Sequence, residues 1–599
     1  MSGNRCVNQS FFDAFLMGEN ENVYSLLQSI TADEFTSILK EIPEPRILVF
    51  PEHMNLFIRT SFPEKAINAI NAGFQKSMLL ERMVQDDGEG NVVCLCLNDT
   101  FDFELACQKL KLMPNYKKYL ISVPNVGSAC QVIVNNSGLD IRLFEFHLDV
   151  IPVDNHCFTV PANNCFYNCF ANNNIMDVYT ISRALLKLEM LFGIPNKVSV
   201  AGKISKEVNS LLDEFKDTVG SRFFNDEPYF DHIFIMDRSV DLVTPLLTQF
   251  YYGGMIDDKY DATYGLLKLP PGVIFKDKKR ESNNVILTSP KDDVYANIKG
   301  LTCDEANEKI QELIEEVASI NEKLHNSTGG GQWKVFAKRA QKLSEDLPYI
   351  NLHINLLENV VKFNRFMDPI LGFEYSSLMG KTPETSLIGR LMNSGSYDEA
   401  LRLACLYSVT SRGIPSKILN EITRRLIGKF GKGIIQDLIG LDTSDLLKLE
   451  APFFERSKKP SFSSINSILR NVFNSPQIKY DQEGNIIGHA DIERGYDTYV
   501  PILLRLLQYG VKDDWKEGSP VSNLMDQMGI EHKTYCKDHD KITKRVLLFV
   551  VGGITTTESI LIKQMGEILF DEKVEFHVGS TGIINGKRFI NSVCPMIRK

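Results

Sequence analysis

The first 150 residues alternate short apolar runs with amphipathic stretches. The runs have the length of buried strands, and the stretches repeat apolar residues at helical spacing. The strand candidates are RILVF, VVCLCL, YLISV, CQVIV and DVIPV, and the helical candidates are FPEKAINAINAGFQKSMLLERM and ELACQKLKLM. Because strands that alternate with helices usually form a parallel sheet, residues 1–150 are predicted to be an α/β domain.

A second α/β unit is predicted from two separate parts of the chain. The first part is DVYTISRALLKLEMLFG, VNSLLDEFKDTVG and HIFIM, and the second is RVLLFVVGG, ITTTESILIKQMGEIL and VEFHVGSTGIIN. Strands need neighbours to pair with, so both parts are predicted to join one sheet. The residues between them would then be an insertion.

The insertion is predicted to be mainly helical. Residues 303–324 carry apolar side chains at helical spacing, HNSTGGGQ interrupts the pattern, and it resumes at Trp333 with an expected interruption at Pro348. We interpret this as a helical hairpin with a glycine-rich tip. Residues 374–450 predict further helices. The predicted domains are 1–150 (domain one), 151–255 and 486–599 (a split domain two), and 256–370 and 371–485 (two helical blocks of domain three).

Charged residues interrupt the apolar segment from 232 to 258. Asp237 and Arg238 follow the predicted strand HIFIM, and Asp241 comes three residues later. Buried charges are costly unless paired, so we expect these three to bond to one another or to loop backbone. Thr244 and Pro245 are typical of a helix start, which predicts a helix LLTQFYY ending at Gly253-Gly254. A structural corner is favoured over a catalytic site.

The overall charge and the cysteines indicate the class of protein. A net charge of -10 argues against nucleic-acid binding and against membrane attachment by charge alone. The twelve cysteines are scattered, and no signal peptide, myristoylation signal or membrane-spanning run is evident. We therefore expect free thiols in a reducing compartment, with membranes reached only through partner proteins.

Motifs for enzyme chemistry are weak. Gly552 and Gly553 could cradle a phosphate at a strand–helix turn, but no phosphate-loop motif accompanies them, so close packing is favoured. Two groups could be considered for zinc, but neither has the paired spacing of a structural site. They are His532, Cys536 and His539, and His156, Cys157, Cys165 and Cys169. We predict no catalytic residues, no metal and no cofactor.

The hairpin is the better functional candidate. Its glycine-rich break leaves two helix ends beside apolar, aromatic and arginine side chains, which are effective anchors for a partner helix. The candidate residues are Ile320, Leu324, Trp333, Phe336 and Arg339. The alternative is that this stripe packs only within the hairpin or onto the domain beneath it.

Several motifs together resemble the SM (Sec/Munc-like) family of SNARE regulators, in its vacuolar protein sorting branch. The first is the DRxxDxxTPL core, after which Gly253 stands where that branch has glutamate. Further motifs lie at 402–414, 499–505 and 552–590. The matching residues are Asp237, Arg238, Asp241, Thr244, Pro245, Leu246, Arg402, Leu403, Cys405, Leu406, Ser408, Val409, Gly413, Tyr499, Pro501, Leu504, Arg505, Gly552, Gly553, Thr555, Glu558, Thr581, Asn585, Gly586 and Ile590. The likeness covers nearly the whole chain.

This resemblance implies a fold and a function without covalent chemistry. The fold would be a three-domain arch of two parallel-sheet α/β domains, the second split in sequence, with a mainly α third domain. The protein would be the SM subunit of a HOPS or CORVET tethering complex, templating SNARE helices on the hairpin. By analogy, a tether subunit would dock on the second helical block, where Phe430, Ile434 and Ile435 are the candidates. The expected location is the cytoplasm, peripherally at late endosomes and the vacuole or lysosome.

Two alternatives remain at this point. An adaptor could keep the tether interface while the glycine-rich tip no longer supports SNARE templating. A nucleotide-binding α/β enzyme that uses Gly552 and Gly553 is the other. Binding of SNARE motifs and of labelled nucleotide would distinguish them.

Overall fold

A computed structural model covers the 599-residue chain, and the description below is restricted to part of it. The described residues are 23–54, 61–62, 73–162, 164–225, 227–262, 266–270, 273, 283–287, 292–326, 331–364, 368–380, 389, 396–450, 460–472, 479–480, 486–487, 491–496, 499–512, 515, 520–535 and 543–594.

The chain divides into two compact units, Met1–Pro161 and Ala162–Lys599. The first unit contains a parallel sheet with the strand order β2-β1-β3-β4-β5. Its elements are α1 (Val23–Lys40), β1 (Arg46–Phe50), β2 (Lys76–Leu79), β3 (Gly90–Leu97), α2 (Thr100–Leu110), β4 (Tyr116–Val123), α3 (Ser128–Asn136), β5 (Ile141–Glu145), β6 (Ile151–Pro152) and β7 (Cys157–Thr159). Strand β3 lies in the middle of the sheet and is buried from Val92 to Cys96, which accounts for its continuous apolar run. The prediction of an α/β domain is confirmed.

Two local predictions for this unit are wrong. CQVIV was expected to be a strand, but it lies in helix α3, where Cys130 and Val134 face the core and Val132 is exposed. A short apolar run does not distinguish strand from helix until tertiary packing selects its buried face. KSML was assigned to a long helix, yet it forms the edge strand β2 beside β1. The strand β5 was missed because its side chains are only partly buried.

The second unit contains the remaining elements. They are α4 (Met176–Phe192), β8 (Lys197–Ala201), α5 (Lys203–Val219), β9 (His232–Asp237), α6 (Tyr252–Tyr260), β10 (Leu266–Leu269), β11 (Asn283–Ile286), α7 (Asp293–Ile298), α8 (Cys303–Asn326), α9 (Gly331–Asn364), α10 (Asp368–Leu378), α11 (Tyr397–Thr410), α12 (Ser416–Phe430), α13 (Ile434–Thr443), α14 (Phe462–Val472), β12 (Lys479–Tyr480), β13 (Ile486–Ile487), α15 (Ile502–Lys512), α16 (Pro520–Met528), β14 (Ile530–Thr534), β15 (Arg545–Val551), β16 (Ile554–Thr555), α17 (Thr556–Leu569), β17 (Glu575–Ser580), β18 (Ile583–Ile584) and α18 (Gly586–Val593).

The main sheet of this unit joins strands from both parts of the chain. Within the unit its order is β14-β8-β9-β15-β17, and β9 and β15 run parallel with Phe234 opposite Leu548. The adjacent strands β15 and β17 are also parallel, whereas β14 pairs with β8 in the antiparallel direction. The prediction that one sheet is assembled from two distant segments is confirmed. The four boundaries between the five segments drawn from the sequence remain proposals.

Helices α8 and α9 form the predicted hairpin. Its base is packed into a hydrophobic core with α6, to which Ile310, Leu356 and Val360 contribute buried side chains. Pro348 does not interrupt the second arm as expected, because α9 continues through it from Gly331 to Asn364. Packing along an arm can therefore override the helix-breaking tendency of one proline.

No helix among the described residues combines the length and hydropathy that crossing a bilayer requires.

Candidate functional site

An open groove of about 600 Å³ lies between the two arms of the hairpin. Three of the five predicted anchor residues line it: Ile320 on α8, and Phe336 and Arg339 on α9. Val335, which the sequence reasoning missed, also lines the groove and is 67% exposed. Nothing in the sequence distinguishes Val335 from the buried apolar residues of α9, because its exposure depends on how the two arms of the hairpin pack.

The remaining two anchors cannot be placed in the groove. Leu324 and Trp333 lie in the helices, but their side chains are outside the part of the structure that is described. Ile320 is almost completely buried, so it forms the floor of the groove, and Phe336 is half-buried. A partner helix would therefore meet Val335 and the exposed edge of Phe336 first.

The second helical block carries the predicted tether-docking residues, and they differ in exposure. Phe430, at the end of α12, packs against Tyr397 with 4.9 Å between ring centroids. Ile434 is buried, which contradicts its assignment to a docking face. Ile435 is 47% exposed, and Ile439, one turn further along α13, is 61% exposed. The exposed apolar face of α13 is therefore Ile435 with Ile439.

The charged signature at the end of β9 is completely buried, and its three charged residues make different sets of contacts. Asp237 accepts hydrogen bonds from the backbone N–H groups of Ile204 (3.0 Å) and Ser205 (2.7 Å) and from the Ser205 hydroxyl (2.5 Å). Burial raises the pKa of Asp237 to about 6, although these hydrogen bonds oppose the rise. Asp237 therefore holds the start of α5: of the two kinds of partner expected from the sequence, it bonds to backbone N–H groups and not to Arg238.

Arg238 finds its main partner 320 residues away, in the second part of the split unit. Its guanidinium donates two hydrogen bonds of 2.9 Å to the carboxylate of Glu558, and it lies 3.4 Å from Asp241. The side chains of all three are fully buried. Glu558 is also the third residue of a capping box with Thr555 at the start of α17. The ion pair thus ties the end of β9 to α17.

Asp241 organises the turn that follows. One carboxylate oxygen accepts from the backbone N–H groups of Val243 (3.1 Å) and Thr244 (3.0 Å), and the other accepts from the Thr244 hydroxyl (2.5 Å) and from Ile502 N–H (3.1 Å). Thr244 was expected to cap a helix, but it begins a short 3-10 turn with Pro245 and donates its own N–H to Asp241. The predicted helix LLTQFYY does not form.

Helix α6 begins where that predicted helix was expected to end. Gly253 lies in its first turn and donates its N–H to the carbonyl of Lys299 at 2.9 Å. A Cβ atom on Gly253 would lie 3.1 Å from that carbonyl oxygen, so the position is tight. Gly253 is therefore held by a hydrogen bond and by close packing at the start of α6. The preceding Tyr252 bonds through its hydroxyl to His353 on α9 (2.8 Å), and His353 bonds to Asp292 (2.9 Å).

The two glycines considered for phosphate binding are closed by packing. Gly552 and Gly553 have φ angles of +108° and +106°, and added Cβ atoms would lie 2.8 Å from Arg238 and 2.6 Å from Ile584. The Gly552 N–H already donates to the Thr581 hydroxyl at 3.0 Å. The arrangement supports the close strand–helix packing favoured from the sequence.

A buried serine with two histidines is a constellation that the sequence reasoning missed. The Ser199 hydroxyl contacts His232 Nε2 (2.7 Å) and His532 Nδ1 (3.0 Å) and accepts from the indole N–H of Trp515 (2.8 Å). Ser199 is fully buried, so no substrate can reach its oxygen, and burial lowers the pKa of His232. The cluster therefore joins β8, β9 and β14.

The first group considered for zinc from the sequence was His532, Cys536 and His539. Cys536 and His539 lie outside the described residues.

Within the described ranges of the chain, one group of side chains could hold a metal ion. The donor atoms of Cys165, Cys169 and Asp177 lie within 4.8 Å of one another, with 3.9 Å between the two sulfur atoms. The hydrogen bond to Cys169 and burial together raise the pKa of the Cys165 thiol. Asp177 already accepts a hydrogen bond from Asn168. Metal ligation needs thiolates, and the raised pKa of Cys165 opposes its ionisation, so this internally bonded set is a poor fit for zinc.

Solved structures with the same fold include two complexes. The SM protein Vps45 bound to the Qa SNARE Tlg2 aligns with a TM-score of 0.58 at 15% identity, over 96% of this chain and 98% of that one. The Unc18–syntaxin 1 complex from Monosiga brevicollis aligns with a TM-score of 0.58 at 13% identity, over 95% of this chain and 99% of that one. At these identities the likeness establishes the fold, an α/β protein with a large helical insertion.

Sequence relatives point to the same family. Vacuolar protein sorting-associated protein 33A of Rattus norvegicus is 23% identical over 80% of this chain and 82% of its own length. Vacuolar protein sorting-associated protein 33B of Mus musculus is 21% identical over 95% and 97%. The model of the Sec1 family matches residues 65–592. Because that match spans most of the chain, the protein belongs to the Sec1 family.

Proposed function

We propose that this Sec1-family protein binds helical SNARE motifs in the groove of the α8–α9 hairpin and promotes membrane fusion. The observation that carries the proposal is the groove itself, where Val335 and Phe336 are available above a floor formed by Ile320. An amphipathic helix binds such a groove through its apolar face. SNARE binding by relatives with this fold, Vps45 with Tlg2 and Unc18 with syntaxin 1, supports the same role here.

The hairpin would act by positioning its partners. Aligning SNARE helices side by side removes part of the translational and rotational entropy that their assembly otherwise costs. The base of the hairpin is fixed to α6 by Ile310, Leu356 and the Tyr252–His353 hydrogen bond, so the groove has a rigid support. No covalent chemistry is required, and we propose that the protein is not an enzyme.

Replacing Val335 with aspartate is expected to weaken SNARE binding about tenfold or more without unfolding the protein. Val335 is exposed, so the change costs little stability, but it places a charge where an apolar partner surface must be desolvated. The measurement is a titration of purified Qa-, Qb-, Qc- and R-SNARE motifs by fluorescence anisotropy. Leu347→Asp is the matched control, because Leu347 is also exposed on α9 but does not line the groove.

The two variants separate the outcomes. Equal loss of binding in both would indicate a general charge effect and would contradict the groove assignment. Failure of every SNARE motif to bind the wild-type protein would instead favour the adaptor that keeps only a tether interface.

We further propose that the protein is a subunit of a HOPS- or CORVET-type tethering complex at late endosomes and the vacuole or lysosome. The support is the likeness to vacuolar protein sorting-associated proteins 33A and 33B, one of them along nearly its whole length. Membranes would be reached through partners. The proposed docking face for a tether subunit is Ile435 with Ile439 on α13, because both are exposed and lie one helical turn apart.

Replacing Ile435 with aspartate is expected to release the tether subunit while leaving SNARE binding intact. Ile435 is exposed in the free protein, so the aspartate that replaces it would become buried only when the tether subunit binds. Burying a charge in an interface typically weakens binding several-fold to a hundredfold. Co-purification of the tagged protein with its native complex measures the effect. Ile568→Asp is the control, since Ile568 is similarly exposed on α17. Wild-type stoichiometry in the Ile435 variant would contradict the assignment.

A further inference from the structure

The groove of the hairpin has an acidic wall. Five polar residues of α8 line it, and their spacing of three or four residues places them on one face of the helix. They are Glu312, Glu315, Glu316, Ser319 and Lys323. The wall therefore carries three carboxylates at one end, and a single ammonium group on a residue about 10 Å or more further along the helix axis.

One of the three carboxylates is neutralised inside the groove. Arg339, on the opposite wall, donates two hydrogen bonds of 2.7 Å to the two oxygens of Glu316. These bonds lower the pKa of Glu316, so the carboxylate stays ionised and paired. A second cation among the described groove residues, Lys323, lies 5.9 Å from the centroid of the Phe336 ring. Glu316 and Arg339 thus satisfy each other across the groove.

The other two carboxylates are left for a partner. Glu312 accepts a hydrogen bond of 2.7 Å from Lys309, and that pair is exposed, so it stabilises little and can exchange. Glu315 forms no ion pair with any residue that the structure describes, whereas its neighbours Glu312 and Glu316 each form one. A helix that covers Val335 and Phe336 would pass beside both carboxylates and would partly remove them from water.

We infer that the groove selects a helix whose apolar stripe is flanked by lysine or arginine at the position facing Glu312 and Glu315. The inference rests on the proposed function, that this groove receives a helix, and adds the charge of the helix it takes. A cation at that position gains an ion pair in a partly desolvated setting, whereas an acidic residue is repelled by two carboxylates. The groove thus discriminates among amphipathic helices that share the same apolar face.

Three synthetic helical peptides test this. Each has 24 residues and the same leucine and isoleucine stripe, with the flanking positions filled by lysine in the first, glutamine in the second and glutamate in the third. Binding to the full-length protein is measured by fluorescence anisotropy at low and high salt. The variants are Glu315→Lys, which reverses one groove charge, and Glu358→Lys, which makes the same change at an exposed site on α9 outside the groove.

The wild-type protein is expected to bind the lysine peptide about three- to tenfold more tightly than the glutamine peptide, and the glutamate peptide most weakly. High salt should reduce these differences. Glu315→Lys should remove or reverse the order, and Glu358→Lys should keep it.

Equal affinity for the three peptides, or an order unaffected by Glu315→Lys, would overturn the charge inference while leaving the groove as a helix site. Binding of SNARE motifs without binding of any peptide would also overturn it. If neither peptides nor SNARE motifs bind, the proposed function fails first, and the inference that depends on it fails too.

Discussion

Replacing Glu558 with glutamine is expected to lower the free energy of unfolding by about 3–5 kcal/mol. The substitution keeps the shape of the side chain but removes the negative charge that faces Arg238 in the interior. Arg238 is fully buried, and of the two carboxylate partners that the structure describes it would keep Asp241, at 3.4 Å. An uncompensated buried charge is costly because it has lost its hydration without gaining a full partner.

Urea denaturation followed by circular dichroism measures this effect, with the slope of the transition compared between variants. Glu567→Gln is the matched control, because Glu567 lies on the same helix α17 and is exposed. It should change stability by less than about 0.5 kcal/mol. A comparable loss in the control variant would show that helix α17 is sensitive to any loss of charge.

The double variant Arg238→Met with Glu558→Gln sharpens the test. If the loss arises from an unpaired guanidinium, removing Arg238 as well should recover part of the stability, so the two effects will not add. Full additivity would mean that the residues act independently. That result would contradict the interpretation of the ion pair as the link between the two parts of the split unit.

Replacing Gly202 with alanine is expected to be the second most damaging change. Gly202 precedes helix α5 with a φ angle of +107°, a region of backbone conformation that costs a residue with a side chain about 1–3 kcal/mol. An added Cβ atom would also lie 2.2 Å from an oxygen of the buried Asp237 carboxylate. Relieving this overlap must displace Asp237 from the N–H groups of Ile204 and Ser205.

The same helix provides the control. Gly220 follows α5 with a φ angle of +84°, but nothing lies within 4 Å of a Cβ atom built there. Gly220→Ala therefore carries the conformational cost without the overlap. Gly202→Ala should be less stable than Gly220→Ala by a further 1–3 kcal/mol or so, measured by urea denaturation. Equal losses would show that Asp237 moves without penalty.

Both predictions concern the charged signature that interrupts the apolar strand region. Asp237 holds the start of α5, Arg238 holds α17, and Asp241 holds the turn before α6 and the start of α15. We propose that together they set the direction in which the helical insertion leaves the sheet. The Tyr252–His353 bond, which connects α6 to α9, extends this support to the base of the hairpin.

Hydrophobic periodicity predicted the α/β units and the helical hairpin correctly because burial repeats along each element with a fixed period. The period alone was insufficient for CQVIV, which is as short as a strand but packs as helix α3. It was also insufficient for LLTQFYY, where the polar groups of Asp241 and Thr244 hold a turn in place of a helix. In both cases the local pattern fits two structures, and contacts from distant residues decide between them.

At the candidate site, too, the local pattern predicted some features and contacts with distant residues decided others. Composition and spacing identified Ile320, Phe336 and Arg339 as neighbours on a hairpin, but they did not reveal that Arg339 is bound to Glu316 or that Val335 is exposed. They placed Ile434 on a docking face, although it points into the core. A sequence pattern reports which helix face is apolar, whereas exposure depends on what the rest of the fold places against that face.

By itself the sequence determined the fold class, the split second sheet and the family resemblance, because these follow from the order of apolar segments and from motifs spread along the chain. Only the tertiary structure decided which charges pair, since Arg238 and Glu558 are 320 residues apart and no local rule joins them. It also decided that Glu312 and Glu315 face a groove. Pairing and exposure are set by distances through space, and a linear pattern carries no information on those distances.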